Sequence, residues 1–96
     1  PTNEIECFYS ENKSTYIHTC SNRNYLVDNS LEHWQEQLDP ASFFRVSRTF
    51  IIHLNTIKDI IAYSNSRLRL VLQSYTKMEI IISRERVKEF KSWIDR

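Results

Sequence analysis

Three sets of side chains in this sequence have types that could do chemistry. The first is a set of metal-ligand types: Cys7, His18 and Cys20, with His33 or His53. His18 and Cys20 are two residues apart, so on a strand they would point the same way. The set lacks a C-x2-C and a paired-histidine spacing, which structural zinc sites usually carry. Buried thiols and partly exposed histidines account for it without a metal. The second set is a nucleophile, Ser47 or Ser83, in need of a base and an orienting acid. Nothing in the spacing brings a histidine within reach of either serine, and that chemistry demands geometry first. No catalytic residue, metal ligand or cofactor is therefore expected. The third set is basic. Arg48, Arg67, Arg84 and Arg86 stand in "SRT", "NSR" and "SRER", each beside Ser, Thr or Asn and near an expected turn or element end. A guanidinium fork suits phosphates and guanine edges. Neighbouring hydroxyls and amides commonly hold phosphates and set register. Each arginine also has a plainer reading. Arg67 and Arg69 are two apart on one strand, as on an exposed sheet face, and Arg84 and Arg86 are placed to pair with Glu85 or Glu89.

Charge favours the basic set. Residues 1–44 hold two bases against seven acids, and residues 45–96 hold eleven bases against five. The net charge is only +1, yet this asymmetry points to an anionic partner for the second half. Arginine outnumbers lysine there. The chain has no glycine, which excludes a phosphate-cradling P-loop, a dinucleotide fingerprint and a G-x-S-x-G elbow. No window approaches a membrane span of ~20 apolar residues, and the start shows no signal-peptide pattern. With 96 residues the chain fits one domain. "PTNEIE" reads as the approach to a strand, so residues 1–96 are expected to be one domain of a longer protein. Cys7 and Cys20 read as two buried intracellular thiols rather than a disulfide.

The elements that must position these groups are mainly strands. Without glycine, tight turns fall to Asn, Asp and Ser, and "SENKS", "SNRN", "DNS" and "SNS" supply them. Between them, Ile5–Tyr9 alternates with Ile5, Cys7 and Tyr9 on one face. In Tyr16–Cys20 the residues Tyr16, His18 and Cys20 share a face. Tyr25–Val27 follows, then runs at 44–47, 50–52, 57–63, 67–72 and 77–82. Hairpins are expected between 5–9 and 16–20, across "SNS", and across "SYTK" (74–77). Two helices are expected. "NSLEHWQEQLDP" carries Leu31, Trp34 and Leu38 as one stripe. Asn29 can cap it with Glu32 three residues on, and Asp39-Pro40 stops it. "SRERVKEFKSWIDR" has Ser83 as an N-cap and Val87, Phe90 and Ile94 as its stripe, so it should lie on the sheet. Neither helix is a basic recognition helix, so any nucleic-acid contact must come from loops and strand ends. The fold class expected is mainly β, a compact multi-sheet domain with one short internal helix and a C-terminal helix.

The stretch "FFRVSRTFIIHLNTIKDI" (43–60) resembles the central signature of the LytTR family, DNA-binding output domains of bacterial response regulators. That pattern runs Phe-Phe-Arg-Val, a polar residue usually His, Arg, a small polar residue, an aromatic, two aliphatics and an Asn-rich turn before Ile. Phe43 to Val46, Arg48, Thr49, Phe50 to Ile52 and Ile57 match it. "NKSTYIHT" (12–19), "YLVDNSLEHWQEQL" (25–38) and "IISRERVKEFKSWI" (81–94) extend the resemblance over nearly the whole chain. Ser47 replaces the usual His, and His53 stands where Asn is common.

The resemblance implies a mostly β fold and sequence-specific binding of double-stranded DNA, with loops entering successive major grooves and the DNA bending. It implies an upstream receiver or sensor domain, paired promoter repeats and a dimer on DNA, within a bacterial cytoplasmic two-component regulator. By position, the contacts would come from Asn12, Lys13, Ser14 and Thr15, then Ser47, Arg48 and Thr49, then Arg67, and last Ser83, Arg84 and Arg86. Arg45 matches the pattern but reads equally as structural, paired with an acid. The rival reading, from another class, is a protein- or ligand-binding β module that docks an acidic partner on its basic half. RNA binding is weaker, because the aromatics alternate into the core instead of forming a stacking platform.

Overall fold

The computed structural model describes residues 4–95. Pro1, Thr2, Asn3 and Arg96 lie outside them, and so does the start of "PTNEIE". The elements run β1 (Ile5–Glu11), β2 (Ser14–Thr19), β3 (Asn24–Val27), α1 (Leu31–Gln37), β4 (Phe43–Arg45) and β5 (Phe50–His53). A short 3-10 turn (Leu54–Thr56) leads to β6 (Ile57–Tyr63), β7 (Arg67–Leu72), β8 (Ile80–Ile82) and α2 (Arg84–Asp95). Two antiparallel sheets result, one ordered β3-β2-β1-β5-β4 and one ordered β6-β7-β8.

The five-stranded sheet is covered on both faces at its centre. One face packs Cys7, Tyr9, Phe50 and Ile52 against Leu70, Leu72, Tyr75, Ile80 and Ile82 of the second sheet and Phe90 and Trp93 of α2. The other packs Phe8, Phe43 and Ile51 under Leu31, Trp34 and Leu38 of the α1 segment. This explains why "FII" (50–52) is apolar without a break: a strand covered on both faces does not alternate. The helix stripes sit in these layers as their spacing predicts, with Val87 and Ile94 packed at the edge of the first cluster. The mainly β, two-helix architecture expected from the sequence is the one observed.

Five local expectations are corrected. Ile5 does not share the face of Cys7 and Tyr9. The β1–β2 register slips between Ile5 and Cys7, and that bulge swings Ile5 to the Phe8 side. Cys20 is exposed, not buried, because β2 ends at Thr19 and Cys20 begins the turn. Ser30, not Asn29, caps α1, its hydroxyl accepting from His33 N at 3.2 Å. The hairpin expected across 74–77 does form, since β7 pairs antiparallel with β8, but its connection is longer than expected. β8 begins only at Ile80, because Ser74 and Tyr75 turn inward to a buried acid, Glu6. The run expected from Phe44 to Ser47 is strand only over Phe43–Arg45, and the rest becomes loop.

Glu6 is 0% exposed. Its carboxylate accepts from Ser74 N (3.1 and 2.9 Å), Ser74 Oγ (2.9 Å) and Tyr75 N (2.6 Å). This bonds the centre of the first sheet to the end of the second. Ser74 Oγ also lies 3.1 Å from His18 Nε2, while His18 Nδ1 lies 2.8 Å from Asn24 Oδ1, to which the Tyr9 hydroxyl donates at 2.9 Å. Thus His18, itself buried, spends both ring nitrogens on a half-buried network. Burial, then the nearby Glu6 charge, pushes the Cys7 thiol well above its ordinary range, so it packs as a neutral side chain.

Candidate nucleic-acid interface

The first basic group stands on a two-residue turn. Glu11 pairs with Ser14, so Asn12 and Lys13 alone make the bend, with φ of 52° and 68°. Two left-handed residues suit the right-handed twist of a hairpin. Asn tolerates that region, but a lysine there costs about 1 kcal/mol or more. Lys13 is exposed at the tip, Ser14 is half-buried, and Thr15 is buried in β2.

The second group is the β4–β5 loop. Val46 is fully buried and donates its N–H to Phe50 O at 3.1 Å. That anchors one side of the loop and leaves Arg48 and Thr49 exposed. Ser47 Oγ accepts from Thr49 N at 3.2 Å, a local side-chain turn. The carbonyls of this tight loop are held from behind by Arg45. Its Nε donates to Ser47 O and one terminal nitrogen to Arg48 O, both at 2.7 Å. The same guanidinium donates to Gln35 Oε1 at 3.0 Å and Glu32 Oε2 at 3.2 Å on α1. Its side chain is only 10% exposed. Five donors in a fixed fork make this possible, and a lysine has no such fork. The Glu32 carboxyl is held below its usual range, first by its own backbone N–H and then by Arg45. Arg45 is therefore structural. It braces the loop, and its charge faces an acid, as the plainer of its two sequence readings had it.

These loops adjoin one another. Ser10 N donates to Thr49 O at 3.0 Å, tying the end of β1 to the second loop. Lys13, Ser14, Thr15 and Arg48 line one cleft of about 530 Å³, which Asp28, Leu31 and Glu32 also line. Arg86 donates to Arg45 O at 2.7 Å and so ties the start of α2 to the base of the second loop. Ser83 and Arg84 immediately precede that tie. Leu68 pairs with Ile82, so the next step of the ladder sets Arg67 beside Ser83. Hydrogen bonds thus join the loops of three sequence-predicted groups, and the strand register sets the fourth, Arg67, beside Ser83.

Their side chains are differently committed. Arg48 and Arg84 are exposed, and neither guanidinium makes a hydrogen bond or ion pair among the described residues. Arg86 is spent on the Arg45 carbonyl instead of Glu85 or Glu89. Arg67 bonds Ser64 O (3.0 Å) and Ser64 Oγ (2.9 Å) and lies 4.9 Å over the Tyr63 ring. Those contacts shape the β6–β7 turn, where Asn65 and Ser66 are left-handed. Arg69 faces Glu79 at 3.6 Å, a surface pair as its strand position implied. The model of the LytTr DNA-binding domain family matches residues 1–95.

The chain belongs to the LytTR family. It is a DNA-binding domain of the kind found in transcription regulators and not an enzyme. It is 31% identical over 91 residues to the transcriptional regulatory protein YpdB of Escherichia coli K12, covering 95% of this chain and 36% of that protein. It is 32% identical over 85 residues to the transcriptional regulatory protein LytR of Staphylococcus aureus MW2, covering 88% of this chain and 33% of that one. The chain therefore spans about a third of the length of these curated relatives. A solved LytTr DNA-binding domain from Bacillus cereus superposes with a TM-score of 0.87 at 22% identity, over 100% of this chain and 85% of that one. That likeness shows the fold. No helix among the described residues of this LytTR domain is long and apolar enough to cross a membrane.

One residue of these loops was read only in part from the sequence. The multiple bonds of Arg45 are invisible in its local spacing, although its place between apolar Phe44 and Val46 marks it as a buried charge in need of partners.

Proposed function

We propose that this LytTR domain recognises a specific duplex sequence by presenting its loop edge to successive major grooves. Arg48, Lys13 and Arg84 supply the contacts that displace counterions from phosphates or reach base edges. Asn12, Ser14, Ser47, Thr49 and Ser83 add short polar contacts that set register. Thr15, Arg67 and Arg86 serve chiefly to shape the loops that carry the others. The observation that carries this reading is the bonded continuity of that edge. Ser10 to Thr49 and Arg86 to Arg45 join three of the loops in one frame, and two exposed arginines project from it without side-chain partners among the described residues. A preorganised frame with uncommitted cations is what a polyanion with a fixed repeat requires.

The domain acts, on this reading, as the C-terminal output part of a longer cytoplasmic regulator, downstream of a receiver or sensor in a two-component signal. Two copies would occupy paired promoter repeats. The test is a salt series on a site selected from a random duplex pool. If Arg48 meets phosphate, Arg48→Ala weakens binding to all sequences and lowers the log–log salt slope by about 1. If it reads guanine, the loss is roughly 1–3 kcal/mol at one base position. Unchanged binding in both removes Arg48 from the interface. No duplex binding even at ~50 mM salt, where phosphate contacts are strongest, overturns the reading as a whole.

A further inference from the structure

A second cleft, of about 690 Å³, lies between the α1 segment, β4 and α2. Pockets that hold small ligands measure about 300–1,000 Å³. Leu38, Phe44 and Trp93 make its apolar part, with the Phe44 and Trp93 rings 5.1 Å apart. Leu38 and Phe44 are only half-buried, so an apolar cover would take further surface from water. Its polar part is basic. Arg45, Arg86 and Lys88 line it, with Glu89 as the one acid among the lining residues. Arg45 is already paired with Glu32. Arg86 is half-buried and spends its Nη1 on Arg45 O. Its Nε and Nη2, the side-on fork of the guanidinium, have no partner among the described residues. Neither has Lys88, and Glu89 pairs with neither cation. A half-buried fork of this kind is filled by a carboxylate through two parallel bonds. An inorganic anion would leave the apolar part bare, and a neutral apolar molecule would leave the fork empty.

We propose that this cleft binds an amphipathic carboxylate, with its head on Arg86 and Lys88 and its apolar body against Leu38, Phe44 and Trp93. The occupant sits beside both residues that hold the β4–β5 loop. Arg45 braces the loop carbonyls, and Arg86 is bonded to Arg45 O. The site does not depend on the DNA-recognition reading, and either can fail without the other.

The experiment titrates the chain with octanoate and follows the indole N–H signals of Trp93 and Trp34 by NMR. Trp93 Nε1 donates to Pro40 O at 2.8 Å, and both residues line the cleft. Trp34 packs against the other apolar cluster and serves as the control. Octanoate should move the Trp93 signal saturably and leave that of Trp34 in place. Octanol lacks the charge and acetate lacks the tail. Each should bind about tenfold more weakly or worse, the value of one charge-assisted hydrogen bond or of a pair of buried methylenes. Arg86→Lys keeps the charge and removes the fork, and should weaken octanoate about tenfold. Lys88→Gln, at an exposed position, should cost roughly two- to fivefold. A Trp93 signal that octanoate does not move overturns the proposal. Octanol as tight as octanoate also overturns it, because the cleft is then merely apolar, and so does acetate as tight as octanoate, an adventitious anion only. Undiminished octanoate affinity in both variants overturns the placement of the head. If Arg86→Lys fails to fold, octanoate against octanol on the unaltered chain still decides.

Discussion

Glu6 and Arg45 are both charged residues lodged among apolar strand neighbours, and they hold different parts of the molecule. Glu6 sits where the two sheets meet, and its carboxylate accepts from Ser74 and Tyr75. Arg45 sits behind the β4–β5 loop and donates to Ser47 O, Arg48 O, Gln35 and Glu32. Each is the mirror of the other, one acceptor gathering donors and one donor gathering acceptors. A buried charge is tolerable only when so surrounded. The difference lies in what moves if the charge is removed. At Glu6 the sheets lose their junction. At Arg45 one loop loses its shape, while the core around it is still closed by Val46, Phe50 and Phe90.

The largest expected effect follows from the junction. Glu6→Leu leaves the N–H groups of Ser74 and Tyr75 buried without acceptors. Each orphaned donor costs about 1–3 kcal/mol, so urea unfolding should show a loss of about 3 kcal/mol or more. Affinity of the folded fraction for DNA should stay close to normal. A loss under about 1 kcal/mol would mean that apolar packing alone joins the sheets.

Arg45→Lys should reverse that pattern. It keeps the charge and removes the fork, so stability falls by only about 1–2 kcal/mol. DNA binding falls with it, at the base position that Arg48→Ala affects, and the salt slope is unchanged because Arg45 meets no phosphate. The double variant Arg45→Lys, Arg48→Ala should bind little worse than Arg48→Ala alone, since a positioning residue has nothing left to position. Strictly additive losses would show that Arg45 acts independently of Arg48, and the contrast with Glu6 would fail.

These two residues also mark where the sequence stops being legible. Strand positions were readable because Asn- and Ser-rich turns punctuate alternating runs, and in the absence of glycine those turns are where left-handed residues had to fall. Asn12, Asn22 and Asn65 are left-handed, at three of the sites so marked. Helix stripes were readable for the same kind of reason, since Leu31 and Trp34 or Phe90 and Ile94 recur at helical spacing. The β1 bulge, the inward turn of Ser74 and Tyr75 and the exposure of Cys20 were not readable. Each depends on a partner far away in sequence or on where a strand stops. Candidate contact groups could be proposed from the motif, but the bonds that join their loops, Ser10–Thr49 and Arg86–Arg45, are links that no local pattern announces.

The smallest expected effect tests a third buried polar group, which unlike Glu6 and Arg45 is not fully satisfied. His53 ends β5 with its ring 4.7 Å from that of Phe43, and its Nδ1 is buried with no hydrogen-bond partner among the described residues. Burial lowers its pKa from the ordinary 6.5. The folded state therefore resists the proton that the unfolded chain accepts near 6.5. Stability from this source is complete above 6.5 and declines as pH falls below it, until the folded group itself titrates. The slope cannot exceed about 1.4 kcal/mol per pH unit. Urea midpoints at about pH 7 and about pH 5.5 should differ more for the unaltered protein than for His53→Phe, which fills the same space without a titrating group. The depressed Glu32 carboxyl acts in the same direction, but only below its ordinary 4.5, so this window isolates the histidine. Equal midpoint shifts in the two proteins would show that His53, unlike the saturated charges at Glu6 and Arg45, finds compensation for its orphaned nitrogen when it is protonated.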